Sequence, residues 1–139
     1  MLSAFVGVSA PRHSALTEAK QPIPNIVPIR TLIDTGASAT CVDPSVLISL
    51  GLTPTGNTAI RTPSTGNKPV TADQYDVSLI LPPAVQSQTP LFFATLPVIC
   101  VELLVSQGFH ALIGRDVLAQ CIFTYNGGNG GPGWFTLAY

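Results

Sequence analysis

The segment Leu32-Ile33-Asp34-Thr35-Gly36-Ala37-Ser38 puts a carboxylate at the end of an apolar run and just before a glycine. A carboxylate held on a tight turn at a strand end can exchange a proton with a bound water. Gly36 allows the backbone to turn sharply and another group to approach. The Thr35 hydroxyl can lock the turn to a neighbour, and Ala37 and Ser38 are small enough to leave room for a substrate backbone. Asp, Thr and Gly are also ordinary turn residues, so the tripeptide alone reads equally well as a plain β-turn.

Other chemistries find less support. His13 and His110 are the only histidines, and neither stands in a metal-binding spacing, so no metal site is expected. Cys41 and His110 lie in no cysteine-hydrolase signature, and no Gly-x-Ser-x-Gly elbow occurs. Gly128-Asn129-Gly130-Gly131-Pro132-Gly133 has the letters of a dinucleotide fingerprint. That motif needs a helix after it, and only Trp134 to Tyr139 remain. It reads as part of a glycine-rich loop over 126–133, and no cofactor is expected.

The elements that must position Asp34 read mostly as strands. Thirteen prolines and twelve glycines leave few long helical windows. Leu2 to Val8, Ile26 to Ile33, Leu91 to Leu96, Val98 to Val105, Ala111 to Ile113, Ile122 to Tyr125 and Trp134 to Tyr139 are expected strands. Ser9 to Gln21 is polar and reads as a long surface loop. Thr58 to Thr62 and Val70 to Leu81 can pair as a hairpin with its turn over Pro63 to Pro69, and Val77, Leu79 and Leu81 share one face of the return strand. Asp43 to Gly51 predicts a short helix, with Asp43 as cap, Pro44 in the first position and Gly51 at the end. Arg115 to Gln120 predicts a second short helix, with Asp116 at its start, where the helix dipole favours an acid. The fold class expected is mostly β, with one or two short helices.

The chain has 139 residues and a net charge of −1, with a pI of about 6.0. The length suits one domain over 1–139 with an apolar core. The charge implies no basic surface, so nucleic acid is not an expected partner. Charged residues make up 9% of the chain, against roughly 25% in ordinary domains. So few charges mean either a neutral surface of Ser, Thr, Asn and Gln or apolar surface covered by another chain. Three cysteines without a Cys-x-x-Cys pair are expected as free thiols, which points weakly to a reducing, cytoplasmic setting. The N-terminus lacks a basic leader and a long apolar stretch, so no signal peptide is expected. The most apolar run, Leu91 to Val105, contains Pro97 and Glu102 and falls short of the roughly 18 apolar residues of a membrane span.

Taken together, Thr31 to Ser38 and the distant Ala111-Leu112-Ile113-Gly114-Arg115-Asp116-Val117-Leu118 resemble the retropepsin-like aspartic proteases, which include retroviral proteases and single-domain bacterial relatives. The resemblance runs from about Ile23 to Tyr139. It implies a closed, barrel-like acid-protease fold in which the second motif packs beside the catalytic turn. It implies that Asp34 is catalytic and that Thr35, Gly36, Leu112, Ile113 and Gly114 support it. It makes 60–77 the flap that closes over bound peptide, with Ala37, Ser38, Ser64, Thr65, Gly66 and Asn67 against the substrate. Gln74-Tyr75-Asp76 is similar to the strand after the flap, and Trp134 to Tyr139 to the terminal strand. The chain departs from the family in its longer first connection, in having one glycine at the flap tip, and in having Ser38 where retroviral members often pair an aspartate with the arginine matching Arg115.

Such enzymes need two carboxylates, yet only one of the seven acidic residues here stands in an Asp-Thr-Gly setting. The resemblance therefore implies a homodimer in which each copy supplies one Asp34. The Thr35 side chains would grip the opposite chain, and Trp134 to Tyr139, with Leu2 to Val8, would interleave between copies. The expected activity is hydrolysis of peptides or proteins, with apolar side chains preferred. The alternatives are a catalytically silent module of the same fold that binds peptides or itself, and a maturation protease of a retroelement polyprotein.

Overall fold

The computed structural model describes residues 1–62, 66–84, 86, 88–103 and 105–139. Six strands close into a barrel. These are β1 (Leu2–Val8), β2 (Val27–Ile33), β3 (Cys41–Val42), β5 (Val70–Leu81), β6 (Leu91–Cys100) and β7 (Ala111–Ile113). Their order is β1-β2-β7-β3-β6-β5, and β5 returns to β1. β4 (Gly56–Ile60) adds to the outer side of β5. The long β5 does two jobs along its length. Val70 to Gln74 pair with β4 as a projecting hairpin, while Val77 to Ile80 pair with β1 inside the barrel.

The barrel encloses the apolar core. Val6, Val77, Leu81, Val98, Ala111, Ile113 and Val117 have no exposed surface, and Leu79 is 2% exposed. Val77, Leu79 and Leu81 are thus buried as their spacing predicts, across a register shift between Val77 and Leu79. α2 (Pro44–Ser49) starts at the Asp43 cap and turns Val46 and Leu47 into the core. α3 (Arg115–Leu118) does the same with Val117. β8 (Ile122–Asn126) and β9 (Trp134–Ala138) form a separate two-stranded sheet joined by the glycine-rich loop.

The structure corrects two readings of the sequence. Ser9 to Gln21 is not a loop, because α1 occupies Ala10–Glu18. Its surface position is as expected, since α1 buries none of its residues. It carries no apolar stripe to betray it and is held by its ends. Ser9 Oγ accepts from Arg12 N at 3.4 Å, and a proline stands in the first turn. At the other end Gln21 N donates to Leu16 O and Lys20 N to Thr17 O, a Schellman closure with Lys20 left-handed at φ 54°.

Leu91 to Val105 is not two strands. β6 runs unbroken through Pro97, which pairs with Asp76, and ends at Cys100; Val105–Gln107 is a 3₁₀ turn. Ile99 N donates to Thr40 O. Backbone N–H groups alternate sides, so Pro97 lacks its N–H on that same side, ahead of the first β3 pair at Ile99. The β5–β6 ladder loses nothing. β1 pairs with β2 over Leu2 to Val6 and with β5 over Phe5 to Val8, so both of its edges are taken at Phe5 and Val6, and Leu2 to Ala4 keep one edge unpaired in these ladders.

Candidate active site

Asp34 leaves the end of β2 and enters a turn fixed from three directions. Its N–H donates to Ile113 O at 2.9 Å, tying it to β7, which runs parallel to β2 with Ile33 beside Ile113. Its Oδ1 accepts from Gly36 N at 2.9 Å and from Ala37 N at 3.2 Å. Arg115 N donates to Ala37 O at 3.0 Å, which fastens the far side of the turn to the start of α3. The carboxylate is thus oriented by backbone donors, with Oδ2 unbonded among the described residues.

The two motif glycines are required by close approach. A Cβ on Gly114 would lie 2.5 Å from Ala39 C and 2.6 Å from its O, which no side chain can do. A Cβ on Gly36 would meet Asp34 Oδ1 at 3.2 Å, pressing on the carboxylate itself.

Behind the turn lies a bridge that the sequence did not reveal. Asp116 Oδ2 accepts from Thr40 N at 2.8 Å, and Oδ1 accepts from Thr40 Oγ1 at 2.7 Å and from Val117 N at 2.8 Å. Thr40 Oγ1 in turn accepts from Gly114 N at 3.2 Å. Asp116 stands at a helix start as expected, and its larger task is to join α3 to the strand after the acid turn. The available signal was economy: a chain with seven acids places one of them next to the apolar Leu112-Ile113-Gly114 motif.

Asp34 opens on a cleft of about 860 Å³ between the acid turn and the β4–β5 hairpin. Gly36, Ala37, Ser38 and Leu112 line it with Asp34, and Ile60, Pro97 and Ile99 supply apolar wall. Ile113 and Gly114 are buried behind it and Thr35 is exposed. Gly66 and Asn67 are exposed in the hairpin turn and are not among the described residues lining the cleft. Ser64 and Thr65, with Pro63, lie outside the described residues. Cys41 also lines the cleft. Burial pushes its thiol up from the ordinary value, and the Asp116 and Asp34 carboxylates add to that, so it stays a neutral thiol. Cys41 Sγ contacts Ala39 O and His110 Nδ1 faces Arg30 N, so the two are engaged apart from one another.

A family model described as Aspartyl protease matches residues 23–117, and the chain belongs to this retropepsin-like family. The general function that comes with membership is aspartic proteolysis. The match covers the acid turn, the hairpin and the Leu112-Ile113-Gly114 motif, and it ends within α3. None of the curated proteins matches the chain.

Proposed function

We propose that the protein is an aspartic endopeptidase that acts as a homodimer, each copy supplying one Asp34 carboxylate. The observation that carries this reading is a half-site: Asp34 is the one acidic residue among the described residues lining the cleft. A twofold axis beside the acid turn would bring a second Asp34 to the first. Two carboxylates about 3 Å apart share one proton. The ionised one takes a proton from water as the water attacks the scissile carbonyl, and the protonated one gives its proton to the carbonyl oxygen. Collapse of the tetrahedral intermediate returns a proton to the leaving nitrogen. The exposed Thr35 is available to the opposite copy. The β4–β5 hairpin serves as the flap over an extended peptide.

Asp34→Asn tests the mechanism. Asn Oδ1 can still accept from Gly36 N and Ala37 N, so the dimer and its thermal midpoint should be kept. Cleavage of a diverse peptide library should fall by at least about a thousandfold. Turnover that survives the substitution would sink the mechanism. A wild-type dimer that binds peptides yet cuts none between acidic and neutral pH would favour the silent module, a reading supported by Arg115, which is exposed and has no ion-pair partner among the described residues.

A further inference from the structure

We infer that the cleft selects peptides with an acidic residue flanking the apolar residues at the scissile bond, and that Arg61 is the specificity-determining side chain. This rests on the peptidase reading and names its substrate class. Asp34 and Arg61 are the two charged residues among the described residues lining the cleft. Arg61 follows the last residue of β4, is exposed, and has no ion-pair partner among the described residues. Lys68 stands on the other arm of the hairpin, next to the cleft-lining Pro69, and the pairing of Ile60 with Val70 sets the two arms side by side. From Gly51 to Ala72 the only charged residues are Arg61 and Lys68. The outer end of the hairpin is cationic at Arg61 and Lys68, Asp73 stands nearer its base beside the cleft-lining Gln74, and the floor is anionic at Asp34.

Opposite charges on two sides of one cleft sort a bound peptide. An acidic side chain at the scissile bond would meet Asp34 and be repelled. One placed further along the peptide would reach Arg61, whose planar guanidinium can fork onto a carboxylate. Arg61 is exposed, so the preference is modest, about two- to fivefold in affinity per acidic residue, and salt weakens it.

The test uses the full chain and a library of labelled peptides with apolar centres, each made in a flanking-Glu and a flanking-Gln form. Binding is measured directly at low and high salt, and cleavage is scored in parallel. The Glu forms should bind about threefold tighter at low salt. That advantage should vanish at high salt and in Arg61→Gln, and persist in Lys20→Gln, a cation outside the cleft lining. Equal binding of the two forms, or a preference that survives Arg61→Gln, would overturn the inference. Cleavage without the preference overturns it alone. The preference without any cleavage overturns the peptidase reading and supports the inference. Binding of neither form by any library member overturns both.

Discussion

Gly36 and Gly114 flank the same turn and would fail differently when given a methyl group. At Gly114 the new Cβ would enter the Ala39 carbonyl at 2.5 Å, so backbone must move. Gly114→Ala should cost at least about 2 kcal/mol in urea unfolding and lose activity through loss of fold. At Gly36 the neighbour at 3.2 Å is the Asp34 carboxylate oxygen, which can yield. Gly36→Ala should cost about 1 kcal/mol or less while lowering kcat far more than stability, because it shifts the acid and not the barrel. Equal stability losses in the two variants would refute this distinction. Thr31 is a third case. Its Oγ1 is fully buried and has no hydrogen-bond partner among the described residues. A buried hydroxyl without a partner is destabilising, so Thr31→Val should raise stability by about 1 kcal/mol, seen as a higher urea midpoint at unchanged slope. A lower midpoint would mean that the hydroxyl has a partner in solution.

At the scale of elements, Asp43 shows how one cap can hold two segments. Its Oδ1 accepts from Ser45 N and Ser45 Oγ at the start of α2, and its Oδ2 accepts from Leu103 N at 2.9 Å after β6. Burial pushes the carboxyl up, but the hydrogen bonds from Ser45 Oγ, Leu103 N and Ser45 N, with His110 nearby, outweigh it and hold the group below the ordinary value. A depressed folded pKa adds stability that is complete above the unfolded value near 4 and is lost as pH falls through the folded value. Asp43→Ala should therefore cost about 2–3 kcal/mol at neutral pH, and its unfolding free energy should decline less than the wild type's below about pH 4; parallel declines would discount the linkage. The two larger helices also explain what was legible. α2 and α1 both begin with a polar cap and a proline, but only α2 turns apolar residues into the core, and apolar periodicity is what a reader of sequence can see. α1 leaves no such signal because its stability is local. In β6, Pro97 reads as a strand end, yet whether a proline breaks a strand depends on which side its missing N–H faces, a fact of sheet order. The acid turn, β7 and the Leu112-Ile113-Gly114 motif lie in short local patterns and were readable, whereas the Thr40–Asp116 bridge joins residues 76 apart.

For the whole molecule, the question is what covers the β8–β9 hairpin. A lone two-stranded sheet is marginal in water. One face of this one leans on the barrel, where Leu137 packs against the core cluster and Tyr139 Oη donates toward Leu81 O and Pro82 O. The register puts Ile122 opposite Ala138 and Asn126 opposite Trp134, so these residues share the other face with Thr124 and Thr136. That face is open, with Ile122 72% and Trp134 52% exposed. No residue from Cys121 to Tyr139 is charged, whereas free strand edges are ordinarily guarded by charge. An uncharged hairpin with an open apolar face is suited to meet a second copy, and a second copy is what the proposed half-site requires. Ile122→Lys and Trp134→Lys should then shift the protein to monomer in sedimentation equilibrium while the barrel keeps its thermal midpoint. Activity should fall with the dimer fraction and return when the protein is concentrated, because the acid turn of each copy is untouched. In the wild type, specific activity should drop on dilution through the same concentration range in which the dimer dissociates. A monomeric variant with undiminished activity would show that one Asp34 suffices and would end the two-carboxylate reading; a dimer indifferent to both substitutions would place the interface elsewhere on the molecule.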